Sequence, residues 1–146
     1  MFSIRFTDEP VEYPYDDVTV PAAPGRLVLG ASDEGFLSNL RLWRKSDYQN
    51  HWRRELMSLL DGSSKIALIV SYDSPSSMEI WNVYRDGDVA HFQNQLFWPD
   101  NLPRGCIASE ISQHIQERTV KTEDGDLISE WDVAMLDIEE FVRPSD

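Results

Sequence analysis

Apolar residues recur at steps of three and four between Ser46 and Gly62. Tyr48, Trp52, Leu56, Leu59 and Leu60 fall on one stripe while Asn50, Arg53, Arg54 and Ser58 fall away from it, which predicts an amphipathic helix over Ser46 to Asp61. Ser46 and Gln49 have the spacing of a capping box, and Gly62 stands where a helix ends on a positive φ. Elsewhere the period is two. Phe2, Ile4 and Phe6 alternate with Ser3, Arg5 and Thr7, the pattern of a strand with one buried face. From Asp8 to Gly25, Pro10, Pro14, Pro21 and Pro24 interrupt ladder pairing and predict an extended surface connection with a short edge strand around Val18 to Val20. Arg26 to Gly30 reads as a strand, with Leu27 and Leu29 on one side and Val28 opposite, and part of Ser38 to Trp43 as another. The β-rich apolar run Ile66 to Ser71 predicts a central strand covered on two faces, one of them by the helix just before it.

Two Asp-Gly pairs mark hairpins. A turn at Asp86-Gly87 sets Arg85 opposite Asp88, Val83 opposite Ala90 and Trp81 opposite Phe92. The other face of that hairpin carries Ile80, Asn82, Tyr84, Val89, His91 and Gln93, a mixed set that predicts a partly solvated or partner-facing side. Two prolines and a glycine between Trp98 and Gly105 predict a loop, and Ile107 to Ile115 is open between a short helix and irregular structure. Asp124-Gly125 joins strands over Arg118 to Glu123 and Asp126 to Met135, with Trp131, Val133 and Met135 alternating on one face. Asp137 then caps a last helical turn that buries Ile138 and Phe141 and ends before Pro144. The sum is an α+β fold, mainly antiparallel sheet with hairpins at Asp86-Gly87 and Asp124-Gly125, packed against one principal helix. The length of 146 residues fits a single domain, 1–146.

Charge narrows the function. Thirteen basic against 26 acidic residues give a formal charge of −13, a field that repels phosphate backbones and anionic membranes and attracts basic proteins. Direct nucleic-acid and membrane binding are therefore not expected. One cysteine, Cys106, allows no internal disulfide and predicts a reducing compartment. The N-terminus lacks a basic region followed by a long apolar run, so no signal peptide is read there and a cytoplasmic location is expected.

Catalytic and metal signatures are weak. His51, His91 and His114 lack the paired spacing of a zinc motif. Cys106 with His114 or His91 would be the one nucleophile and base pairing, without a recognisable flanking signature. The acidic groups Asp86 with Asp88, and Glu123, Asp124 and Asp126, flank Asp-Gly turns that account for them without a metal. No enzyme activity, cofactor or metal is expected. What remains is a distributed negative surface, with Asp16, Asp17, Asp33, Glu34, Asp86, Asp88, Glu123, Asp124 and Asp126 as its exposed members. Trp98, beside Pro99 at the start of a loop, is the candidate aromatic anchor for a partner.

The ordered set Ser46-Asp47-Tyr48, Trp52, Leu56, Leu59-Leu60-Asp61-Gly62, then Trp81, Tyr84-Arg85-Asp86-Gly87-Asp88, Gln93-Asn94-Gln95-Leu96, then Asp124-Gly125 and Ile128-Ser129-Glu130-Trp131-Asp132-Val133 resembles the immunity proteins of bacterial contact-dependent growth inhibition systems. The resemblance covers about the last two-thirds of the chain; Pro10 to Gly25 stays outside it. It implies a small protein, monomeric or in a 1:1 complex, that neutralises the C-terminal toxin domain delivered by a neighbouring cell. Such toxins are often basic nucleases or tRNases, which agrees with the acidic charge. The alternative is an acidic nucleic-acid mimic or regulatory protein binding a basic host protein.

Overall fold

The computed structural model describes residues 1–75, 77–97 and 108–144, and its strands form two four-stranded sheets, each antiparallel throughout. The first is organised on one long strand, β3 (Val18–Leu29). β1 (Phe2–Phe6) and β2 (Val11–Tyr15) follow one another along one edge of it, and β4 (Ser32–Asn39) takes the other. The register requires this, because Ala22 pairs with both Val11 and Asn39.

The proline-rich stretch is therefore sheet and not a surface connection. Pro21 and Pro24 lie inside β3, but each turns its ladder groups past the end of a neighbouring strand. The Pro21 carbonyl accepts from Leu40 N–H at 2.9 Å, one step beyond Asn39, and the Pro24 carbonyl accepts from Thr7 N–H at 3.0 Å, one step beyond Phe6. A strand residue's nitrogen points to the same edge as its carbonyl, so the missing N–H is not needed at either place. Asp16 and Asp17 join β2 to β3 with φ of 52° and 65°, the double positive φ of a type I′ turn.

Helix α1 (Lys45–Leu60) follows β4 after a turn. Its N-cap is Arg44 and not Ser46, and the Asp47 carboxylate, not Gln49, reaches back to Arg44 N–H at 2.9 Å. At the other end Gly62, φ 123°, donates to Leu59 C=O and Ser63 N–H to Ser58 C=O, a Schellman closure. Arg85 completes it from outside by donating to the Leu59 and Leu60 carbonyls at 2.9 and 3.2 Å, a cation on the negative end of the helix. Arg85 thus serves the helix and not the expected pairing with Asp88.

The second sheet runs β5 (Lys65–Ser74), β6 (Ser77–Asp86), β7 (Val89–Phe97), β8 (Trp131–Ala134). In the β6–β7 hairpin the two turn residues are Gly87 and Asp88, with Gly87 at φ 61°, so Asp86 pairs with Val89, Val83 with Phe92 and Trp81 with Asn94. Partners slide by two residues from the expected register, which leaves each side chain on its expected face because the pleat has period two. The Asp124-Gly125 turn forms, with Gly125 at φ 88°, but its arms meet in a single bridge, Lys121 with Leu127. The strand after it is confined to β8, and Met135 opens α2 (Met135–Val142), where Asp137 sits in the first turn.

Two surfaces of the second sheet are buried, for different reasons. On one, Trp81, Val83, Ala90, Phe92 and Val133 face the core, where Phe2 of β1 meets Phe92 at 5.5 Å and α2's Phe141 at 5.4 Å. The inner face of the first sheet supplies Phe2, Ile4, Leu27, Leu29 and Phe36, and Trp52 of α1 stacks between Phe6 and Phe36 at 5.0 and 5.6 Å. The polar face expected to be open is instead covered by the segment 108–130, which begins as a 3-10 helix, Ala108–Gln113. Tyr84 Oη donates to Gln116 C=O, Gln93 Nε2 to Thr119 C=O and Lys65 Nζ to Ile115 C=O. An irregular cover has unpaired backbone carbonyls, and the polar side chains beneath satisfy them.

β5 is the edge strand of its sheet and not a central one. Side chains close its free edge: Ala67 N–H donates to Ser112 Oγ, Ile69 N–H to His51 Nε2 and Tyr72 N–H to Tyr48 Oη, while Trp52 Nε1 donates to Ile69 C=O and Ser38 Oγ to Val70 C=O. The helix just before it does cover β5, by hydrogen bonds as well as by packing.

Candidate functional site

The expected acidic residues lie on several separate surfaces. Asp16 and Asp17 occupy the exposed β2–β3 tip, and Asp33, exposed on β4 opposite Val28, lies 3.5 Å from Arg26. From Val18 to Val28 the chain runs along β3, so tip and Asp33 stand about 30 Å apart at the usual strand rise. Glu34, half-buried, pairs with Leu27. Glu123, Asp124 and Asp126 are exposed on the turn held by Thr122, whose N–H donates to Asp126 C=O. Trp98 and Cys106 lie outside the described residues.

Asp86 joins a cluster that periodicity did not reveal. Around buried His91 stand Asp132, Glu130 and Asp86: Nδ1 donates to Asp132 Oδ1 at 2.6 Å, and Asp86 Oδ2 lies 3.7 Å from Nε2. Glu130 is gripped by Arg118 through two nitrogens at 2.9 and 2.6 Å and by Gln93 at 2.7 Å. Arg118, then Gln93, hold the Glu130 carboxyl below the usual range against the opposing effect of burial. His91, Glu130 and Asp132 could offer a metal ion one atom each within 4.8 Å of one another. With Glu130 already saturated by a guanidinium, the arrangement is an ion-pair network pinning the cover to β7 and β8. The positions of Glu130 and Asp132, alternating about Trp131, were its only sequence signal.

A concave site lies elsewhere. Between the gap separating β1 from β2 and the bulged part of β5 opens a groove of about 500 Å³, lined among others by Asp8, Tyr13, Phe36, Asn39, Asp73 and Glu79. Two register breaks in the β5–β6 ladder, at Ile69/Ser71 and at Tyr72/Ser74, re-aim the strand at this point. Burial first, then the nearby Asp73 charge, push the Glu79 carboxyl up, with Asn94 opposing. Glu79 stood in a stretch read for its apolar neighbours and Asp73 in the short connection before it, so sequence reasoning missed both. What the groove and the surrounding carboxylates can do is bind a cationic surface; no described helix is long and apolar enough to cross a membrane.

Known proteins resemble the chain over nearly its whole length. The profile of the CdiI N-terminal domain family matches residues 38–141. The immunity protein CdiI of Enterobacter cloacae subsp. cloacae is 27% identical over 144 residues, 97% of this chain and 96% of the relative. A solved chain from the CdiA-CT/CdiI toxin and immunity complex of Enterobacter cloacae superposes with a TM-score of 0.86 at 26% identity, covering 97% of this chain and 96% of that one. Matches of this length take in Pro10 to Gly25, the stretch the sequence resemblance left out. A profile running from the end of β4 into α2, with relatives matched over nearly the whole length, makes the assignment plain: the chain belongs to the CdiI family of immunity proteins.

Proposed function

We propose that this chain is the immunity protein of a contact-dependent growth inhibition system and that it neutralises its cognate CdiA-CT toxin domain by binding it. The observation that carries the reading is the near full-length likeness to a chain of a toxin and immunity complex. The partner is a basic domain, a nuclease or tRNase, and the formal charge of −13 supports this by complementarity. The chain acts as one domain built on one continuous core, binds one toxin domain, and works in the cytoplasm without chemistry of its own. Neutralisation follows from occupying a cationic surface that the toxin needs for its substrate. Co-expression with the cognate CdiA-CT toxin domain should restore growth of the producing cell. Arrest despite a folded, abundant immunity protein would refute the assignment.

A further inference from the structure

We propose that the groove between the two sheets is the seat of a basic side chain, an arginine or lysine projecting from the toxin domain, held between the carboxylates of Asp73 and Glu79. The inference rests on the immunity reading and adds the place and chemistry of the contact. Two carboxylates elsewhere in the fold that are withdrawn from water have a cation beside them. Glu130 has Arg118 at 2.6 Å, and buried Glu55 has Arg54 at 3.6 Å with Ser112 at 2.9 Å. Asp73 and Glu79 are both half-buried. Asp73 Oδ1 accepts only neutral donors, Ser71 Oγ at 2.8 Å and Asn39 Nδ2 at 3.4 Å, and Glu79 Oε1 accepts from Asn94 at 3.4 Å. Neither has an ion-pair partner among the described residues. The nearby guanidinium groups are engaged otherwise, Arg41 with the Asp73 backbone carbonyl at 2.9 Å and Arg26 with Asp33 at 3.5 Å.

The space matches the missing charge. The volume of about 500 Å³ falls in the range of specific binding pockets, ~300–1,000 Å³. Tyr13, half-buried, adds aromatic surface suited to a guanidinium. Burial first, then repulsion from Asp73, raise the Glu79 carboxyl in the free protein, and an incoming cation offsets that repulsion.

The test is calorimetric titration of the cognate CdiA-CT toxin domain into wild-type protein, the Asp73→Asn/Glu79→Gln double variant, Glu79→Gln alone, and Glu140→Gln, an exposed change on α2. Asn and Gln each keep one acceptor oxygen and nearly the same shape, and thermal melts check that each variant is folded. The double variant should lose affinity by about 10- to 100-fold, the single by less, and Glu140→Gln should stay within about twofold. Wild-type binding with the folded double variant equally tight would overturn the groove assignment and leave the immunity reading standing. Failure of wild-type protein to bind would overturn both.

Discussion

Gly25 and Phe36 face one another across β3 and β4, and the Phe36 ring lies where a side chain on Gly25 would begin: a Cβ there would stand 2.3 Å from Cζ. The ring is wedged against Phe6 and Trp52, so it has little room to yield. Gly25→Ala should cost about 1–3 kcal/mol by overpacking, measured by urea denaturation. His51 shows the other way a single residue is set by its surroundings. Its Nε2 accepts from Ile69 N–H at 2.8 Å, which requires the neutral ring. Burial, then Arg54, pushes its pKa from 6.5 down to about 3. Because the unfolded chain binds the extra proton first, this residue's contribution is complete above pH 6.5 and declines as the pH falls towards 3. Wild-type stability should therefore fall relative to His51→Gln by about 1.4 kcal/mol per pH unit in that window, measured by denaturant titration at several pH values. That His51 borders the core was legible from its place beside Trp52; the partner that fixes its charge was not, since Ile69 lies on another element.

At the scale of elements, α1 was readable nearly residue for residue because a helix records its buried stripe within its own sequence. β5 was readable as a strand but not in its position. Ile66 to Val70 are all buried, which looks like a central strand, yet the neighbour on one side is a set of side chains drawn from α1, β4 and the 3-10 helix. Tyr48 carries one of those connections, accepting from Tyr72 N–H at 2.9 Å, and also donates to Asn39 C=O of β4 at 2.6 Å, and burial pushes its phenol pKa up. Tyr48→Phe should destabilise the protein by about 1–3 kcal/mol, since both backbone groups lose their partner, and a thermal melt checks this. The same limit explains the region from Asp8 to Gly25. Proline argues against pairing only where its nitrogen meets a partner strand, and where strands end is a property of the sheet. The polar face of β6 and β7 looked open for a related reason: Asn82, Tyr84, His91 and Gln93 signal water or a polar cover equally well, and the cover is 108–130.

For the molecule as a whole, the charge excess was legible by counting, and it makes a kinetic prediction. Association with the toxin domain should slow steeply between low and physiological salt while dissociation changes little, because long-range attraction is screened and packed contacts are not. Stopped-flow mixing separates the two rates, and a salt-independent association rate would argue against steering. Where the charge acts was not legible. Asp8, Asp73 and Glu79 come from three separate stretches and meet only when two register breaks turn β5 beside the gap between β1 and β2. The amides and carbonyls that side chains occupy along β5 have a further result at high concentration. A second copy laying an extended segment there would find the hydrogen-bonding groups already taken, so templated stacking of chains into fibrils has no start on that strand.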